Sequence, residues 1–155
     1  KALGGAGGGF TTGKKEVIDL LRQRSRTYLF SNSLMPAIAG AALYVIEHFD
    51  KEFLPLKHKL SENTVYFRTK LEKLGYTLGG GSHAITPIMT MDEPKTMALA
   101  DELLKEGLYV RGFAYPVVPK GKGRIRVQIS AAHTKKQLDK AIVALEQAGK
   151  KLQII

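Results

Sequence analysis

The 155-residue chain contains no cysteine, which excludes a disulfide framework and any metal site built from thiolates. A reducing cytosol is compatible with this composition, and we expect a cytoplasmic location. No uninterrupted apolar run is long enough to span a bilayer, so we expect no membrane partner. The histidines lie far apart and none has metal-ligand spacing, so we also expect no metal; they are His48, His58, His83 and His133.

Acidic residues are few relative to basic ones, with 14 aspartates and glutamates against 24 lysines and arginines, for a net charge of +10. Such a charge raises nucleic acid or an anionic small molecule as the partner. The basic residues are spread along the chain rather than gathered in one arm. This favours the interpretation that they lie on the solvated faces of helices. The sequence also lacks a Walker loop, a nucleophile elbow and an aromatic-rich strand that could stack RNA bases. A basic α+β nucleic-acid-binding module therefore stays as an alternative, and we expect no nucleic-acid partner.

The first third of the chain has helical patterning. Residues 11–26 predict an amphipathic helix, and Pro36 suits the first turn of the next one. That second helix is apolar almost all round from Ala37 to Ile46, so it is predicted to be buried. A longer amphipathic helix follows, with Gly75 as its stop.

The remainder predicts the order β-α-β-β-α. Three segments have strand patterning, namely residues 84–91, 108–115 and 124–129. Pro87 indicates an edge or a bulge position, Asp92 suits a helix N-cap, and Thr134 opens a capping box. We expect a break in the chain near residues 50–60, followed by a compact α+β unit whose sheet is covered by helices on one face.

The strand "RIRVQI" alternates strictly. Its apolar residues predict a core-facing side, and Arg124, Arg126 and Gln128 then project from the other side. A guanidinium presents a planar fork that matches a carboxylate or a phosphate. From the spacing alone, ordinary surface arginines and an anion-binding pair are equally favoured interpretations.

Two connections carry polar groups that could meet an anion. "YPVVPKGKGR" is a basic loop, which is more often a solvated connection than a cover for a ligand. "YLFSNSL" places hydroxyls and an amide before a helix, where a phosphate could bind. Chemistry alone favours helix capping by Ser33 and burial of Phe30. His83 lies where a loop leads into a predicted strand and could line a cleft. His133 precedes the Thr134 cap, and its position favours a local structural role.

The chain opens with "KALGGAGGGF", a single lysine followed by a cluster of glycines. The pattern is typical of a flexible linker. It also suits a reactive lysine around which the backbone and a cofactor must come close. The residues of this segment alone do not decide between the two.

Three blocks together carry a resemblance: "KALGGAGGGF", "LRQRSRTYLFSNSL" and "GFAYPVVPKGKGRIRVQISAAHT". In this order and spacing the chain resembles the glycine C-acetyltransferases (2-amino-3-ketobutyrate coenzyme A ligases) of the α-oxoamine synthase family. These are pyridoxal-phosphate (PLP) enzymes of fold type I. The resemblance implies an α/β fold in which residues 1–52 end the large PLP-binding domain and residues 53–155 form the small α+β domain.

The resemblance also implies a set of site residues. Lys1 matches the catalytic lysine that forms the internal aldimine with pyridoxal 5'-phosphate. Ser31 and Asn32, with Phe30 beside them, match a cofactor-binding segment that reaches the phosphate of the partner subunit in a homodimer. Arg126 matches the residue that binds the substrate carboxylate, and the alternation of its strand independently places it away from the core.

The implied reaction joins glycine and acetyl-CoA into 2-amino-3-oxobutyrate and CoA, and runs as a cleavage in threonine degradation. Another α-oxoamine synthase, with a different acyl-CoA or amino acid, is the nearest alternative. The family's ring-stacking histidine and the aspartate that pairs with the pyridine nitrogen are expected in an N-terminal half that these residues do not include. We therefore expect the chain to be the C-terminal part of a longer enzyme, inactive when isolated.

Overall fold

The computed structural model describes residues 7–155, so the predicted catalytic Lys1 lies outside the described residues. The chain divides into two compact units, one ending at Leu54 and the other running from Pro55 to Ile155. The assignment of residues 1–52 and 53–155 to a large and a small domain stays a prediction. Within residues 7–155, no helix is both long and apolar enough to cross a bilayer.

The first unit contains three helices and a π-helical turn. They are α1 (Lys15–Arg24), α2 (Arg26–Leu29), α3 (Pro36–Glu47) and the turn Phe49–Phe53. The first helix starts later than predicted, at Lys15, and Lys14 at its N-cap position contributes no side-chain hydrogen bond. Pro36 occupies the first turn of α3, as predicted.

The prediction that α3 is buried is wrong within the described chain. No residue of α3 is buried, and Leu43, Tyr44 and Ile46 are each about half exposed. A helix that is apolar on all sides is more stable when buried, but burial requires other helices or strands that cover every side of it. Within this unit α3 packs chiefly against the π-helical turn that follows it, which leaves most of its apolar surface open.

The second unit has the predicted order β-α-β-β-α after its leading helix. Its elements are α4 (Leu54–Lys73), β1 (Ile85–Met89), α5 (Glu93–Lys105), β2 (Arg111–Phe113), β3 (Arg124–Gln128) and α6 (Lys135–Lys151). The three strands form an antiparallel sheet in the order β1-β3-β2. Pro87 therefore lies on an edge strand, as predicted. Along the outer side of β1, Gly79 N–H donates to the Pro87 carbonyl and Met89 N–H donates to the Thr77 carbonyl, each at 2.9 Å.

One face of the sheet packs against the helices and forms the core. The fully buried side chains come from all three helices and two strands: Phe67, Leu71, Ile88, Leu99, Leu103, Ile125 and Leu145. Two predicted caps hold the helices in place. The Asp92 carboxylate accepts the Lys95 N–H at 2.7 Å, and Thr134 and Gln137 form both halves of the capping box. The α+β arrangement with helices over one sheet face is thus confirmed.

Two buried threonines in this core differ in hydrogen bonding and give a matched stability test. Thr86 and Thr96 are both fully buried. The Thr96 hydroxyl donates to the Asp92 carbonyl at 2.6 Å, whereas the Thr86 hydroxyl has no hydrogen-bond partner within residues 7–155. Because an unpaired buried hydroxyl is costly, Thr86→Val should raise the free energy of unfolding by about 1 kcal/mol, and Thr96→Val should lower it by about 1–2 kcal/mol. Urea unfolding of both variants measures this, and equal effects would contradict it.

Glu102 links α5 to α6 through two ammonium groups. Its carboxylate lies 2.7 Å from Lys105 Nζ and 2.6 Å from Lys151 Nζ. The hydrogen bonds from Lys105 and then Lys151 lower the pKa of Glu102 from 4.5 to about 2. A carboxyl whose pKa is lower in the folded state stabilises the fold above its unfolded pKa and loses that contribution as pH falls through the folded pKa.

Between pH 5 and pH 2, the urea midpoint of the wild-type protein should therefore fall further than that of Glu102→Gln, which has no carboxyl to protonate. Glu106→Gln is the matched control, because Glu106 lies at the end of the same helix and forms no ion pair among the described residues. It should follow the wild-type profile. Parallel curves for the wild type and Glu102→Gln would rule out this role.

Candidate active site

The first unit has an open cavity of about 930 Å³ between the glycine-rich segment, α1 and the α2–α3 connection. Its lining brings together residues far apart in the sequence: Gly8, Gly9, Phe10, Thr11, Ile18, Leu21, Arg22, Ser25, Thr27, Tyr28, Ser31, Asn32, Ser33 and Leu34. Ser31 and Asn32, both predicted from the resemblance, therefore lie on the same cavity as the segment that follows Lys1.

Polar groups line much of this cavity. Hydroxyls come from Ser25, Thr27 and Ser31, and a guanidinium comes from Arg22. Some of these groups bond locally, since the Ser25 and Thr27 hydroxyls lie 2.9 Å apart and the Ser31 hydroxyl donates to the Asn32 carbonyl at 3.3 Å. Hydroxyl, amide and guanidinium donors together suit a phosphate group.

Gly8 lines this cavity in a backbone conformation that favours glycine. Its φ is +73°, in the left-handed region that side chains rarely adopt, and a Cβ there would collide with the Leu34 side chain. The glycine therefore lets the backbone approach the α2–α3 connection closely. This is a local reason for one of the glycines in the cluster near the start of the chain.

The interpretations of the segment "YLFSNSL" from chemistry alone are wrong. Phe30 is 79% exposed rather than buried. Met35, not Ser33, is the N-cap residue of α3, and no side chain caps that helix. Among the described residues the Phe30 ring stays largely uncovered, although Arg26 lies 5.8 Å from the ring centroid. Ser33 lines the cavity instead.

The second unit has its own cleft, of about 750 Å³, beside β2 and β3. Its lining comprises Phe67, Gly107, Leu108, Tyr109, Val110, Arg111, Phe113, Arg126, Val127, Gln128, Ile129, His133, Gln137, Leu138, Lys140 and Ala141. Arg126 lies at the middle of the central strand, with Pro87 opposite on one side and Arg111 on the other. Ile125 and Ile129 are buried while Arg126 is exposed, which confirms the predicted alternation.

Asn63 supports the strand that carries Arg126, and sequence reasoning missed it. This buried residue of α4 donates from Nδ2 to the Ser130 carbonyl at 3.1 Å and to the His133 carbonyl at 3.0 Å. It thereby fixes the connection that leaves β3. The signal was an amide within the apolar stripe of an amphipathic helix, three residues after Leu60.

The two histidines singled out in the sequence have local partners. His133 Nδ1 accepts the Ser130 N–H at 3.2 Å, which agrees with a structural role, although the residue also lines the cleft. His83 Nδ1 accepts the Ile85 N–H at 3.0 Å and lies on neither the cavity nor the cleft. The expectation that His83 lines a cleft is therefore not met by either of them.

The basic loop before β3 is tied to α5. Gly121 N–H donates to Glu93 Oε1 at 2.8 Å, and Val118 is buried while Tyr115 is exposed. Lys120 Nζ lies 5.1 Å from the centroid of the Tyr115 ring, within cation–π distance. The loop is thus an anchored connection with a basic outer surface.

The chain is similar in sequence to proteins of known family. The family model for aminotransferases of class I and II matches residues 1–145. The chain belongs to this family. It is 51% identical over 155 residues to the 2-amino-3-ketobutyrate coenzyme A ligase of Escherichia coli K12, covering 100% of this chain and 39% of that protein. It is 46% identical over 148 residues to the 8-amino-7-oxononanoate synthase of Petrotoga mobilis, covering 96% and 37%.

Solved structures agree with membership of the aminotransferase family. The serine palmitoyltransferase of Sphingomonas wittichii matches with a TM-score of 0.84 and 28% identity, over 100% of this chain and 39% of that one. A high-resolution structure of SPT with PLP matches with a TM-score of 0.76 and 26% identity, over 91% and 36%. These neighbours confirm the predicted fold class, fold type I of the PLP-dependent transferases. The chain spans about 39% of the length of the E. coli relative.

Proposed function

We propose that these residues form the C-terminal part of a PLP-dependent acyltransferase that joins glycine and acetyl-CoA into 2-amino-3-oxobutyrate and CoA. In threonine degradation the same enzyme would run in the cleavage direction. The observation that carries the proposal is the 51% identity to a 2-amino-3-ketobutyrate coenzyme A ligase, which extends over all 155 residues of this chain. In this proposal residues 1–52 end the large domain and residues 53–155 form the small domain.

The cavity of the first unit fits the phosphate of the cofactor. Ser31 and Asn32 offer a hydroxyl and an amide there, and Gly8 lets the backbone pack closely against Leu34 on the same lining. In a homodimer this segment would hold the phosphate of the partner subunit's cofactor, with Phe30 beside it. The exposure of the Phe30 ring supports this arrangement, because a second subunit would remove that apolar surface from water.

Each proposed residue has a separate task in the reaction. Bound PLP supplies an electron sink for the bond that breaks at the substrate Cα. The Lys1 amine would hold the cofactor and, once freed by the substrate amine, move the Cα proton. Arg126 would fix the substrate carboxylate, which keeps the reacting bond in its productive orientation. In this proposal the glycines after Lys1 would leave room for the substrate amine to approach.

The first experiment combines an assay with chemical mapping of the full enzyme. Release of the CoA thiol from acetyl-CoA is measured with and without glycine. The enzyme is then reduced with borohydride in the presence of PLP, and peptides are analysed by mass spectrometry. We expect glycine-dependent thiol release and one reduced cofactor on the Lys1 ε-amine, absent in Lys1→Arg. Scattered labelling without selectivity for Lys1 would overturn the proposal.

A second candidate is another α-oxoamine synthase that uses a different acyl-CoA and amino acid. The 46% identity to an 8-amino-7-oxononanoate synthase favours it. Comparison of kcat/KM for acetyl-CoA with glycine against longer acyl-CoA thioesters with alanine or serine separates the two. The proposal requires the first pair to be preferred.

A further inference from the structure

Two arginines face each other across the small sheet. Arg111 of β2 lies directly opposite Arg126 of β3 in the antiparallel register. Opposed residues project from the same face of a sheet, and here that face is the one turned away from the core. Both residues are exposed and both line the cleft of the second unit.

No negative charge in the described residues balances this pair. Like charges directly opposite each other on neighbouring strands are destabilising. Neither arginine takes part in an ion pair within residues 7–155. The lining of the cleft adds the cation of Lys140 and the amide donors of Gln128 and Gln137, and it includes no aspartate or glutamate. A concave surface with this charge is complementary to an anion.

We propose that Arg111 is a second carboxylate-binding residue, which acts beside Arg126 on the same substrate carboxylate. The inference rests on the proposed function, in which Arg126 binds that carboxylate. The Cβ atoms of opposed residues lie only about 5 Å apart, and an arginine side chain is longer than this distance. Arg111 is then close enough to increase the affinity for an anionic substrate, while Arg126 alone sets its orientation.

The test is Arg111→Gln in the full enzyme. We expect the KM for glycine to rise about fivefold, because one screened charge near the carboxylate is lost, while kcat stays within about twofold. Arg111→Lys should recover most of the affinity, since it restores the charge. Arg124→Gln is the matched control: Arg124 lies on the same sheet face, opposite Phe113, but does not line the cleft. Its KM should equal that of the wild type.

Binding of acetate, a simple monocarboxylate, gives a readout that needs no turnover. Calorimetric titration should show an acetate affinity several-fold weaker in Arg111→Gln than in the wild type and Arg124→Gln. Equal KM values and equal acetate affinities in the two glutamine variants would overturn the inference while leaving the proposed function intact. Weaker binding of inorganic phosphate, with unchanged acetate binding, would also overturn it. An enzyme without glycine activity that still shows the acetate difference would support the anion site and contradict only the proposed reaction.

Discussion

Replacement of Arg126 by glutamine should lower kcat/KM for glycine by about two to three orders of magnitude, the loss expected when a charged hydrogen-bonding partner of a bound carboxylate is removed. Glutamine keeps a hydrogen-bond donor but loses the charge and the planar fork. The side chain is exposed on the central strand, so the fold should remain. Steady-state kinetics with varied glycine measures the loss, and urea unfolding should show a change below about 0.5 kcal/mol.

Two further variants separate the fork from the charge. Arg126→Lys retains the charge without the bidentate geometry, so its kcat/KM should fall between those of the wild type and Arg126→Gln. Arg124→Gln, two residues away on the same face, should retain wild-type kinetics. If Arg124→Gln and Arg126→Gln lost the same activity, general surface charge rather than a specific carboxylate contact would explain the effect.

Gly149→Ala should destabilise the protein by about 2–4 kcal/mol, although alanine is ordinarily the better helix residue. Gly149 lies on the buried side of α6, where a Cβ would collide with the Tyr76 hydroxyl and approach Tyr76 Cζ to 2.9 Å. Tyr76 is itself buried, and its hydroxyl donates to the Leu145 carbonyl at 2.7 Å. Burial raises the pKa of Tyr76 to about 12, as expected for a phenol that stays protonated in this contact.

Two controls test this explanation by urea unfolding. Gly40→Ala, in α3, should stabilise the chain or leave it unchanged, because no described atom outside the neighbouring backbone of α3 lies within 4 Å of the added Cβ. In a Tyr76→Phe background, Gly149→Ala should cost less than in the wild type, since the hydroxyl that collides with the Cβ is gone. Equal costs in both backgrounds would show that the Tyr76 hydroxyl is not the obstacle.

The second unit was largely predictable because its signals are local. A cap such as Asp92 or Thr134 acts within three residues, and the alternation of β3 spans five. Pro87 marks an edge strand because it lacks an N–H. Each signal depends on chemistry that neighbouring residues complete among themselves, so the chain order and the outward position of Arg126 followed from the sequence.

Contacts between distant segments were beyond reach of such patterns. The pairing of Arg111 with Arg126 depends on a register set across the connection of residues 114–123, and β2 has only three residues where eight were predicted. The sequence shows that α3 is apolar on all sides, but it does not show whether other elements cover those sides. Likewise, nothing near Gly149 in the sequence indicates that Tyr76 lies against it.

Predicting the candidate site needed both local sequence patterns and contacts between distant segments. No local pattern distinguishes Ser31 and Asn32 from ordinary turn residues, and their predicted role came only from resemblance to a family. The structure adds that they share a cavity with Gly8. The role of Lys1 stays a prediction that the mapping experiment tests directly.

The segment that runs along the outer side of β1 has a consequence for how the protein behaves in a crowded solution. A free strand edge invites strands from other molecules and promotes aggregation. Here residues 77–79 occupy the hydrogen-bonding groups of Pro87 and Met89, and the opposite edge strand, β2, has only three residues. Within residues 7–155 the sheet therefore has no long free edge with which a strand of a second chain could pair, although much of the apolar surface of α3 is exposed.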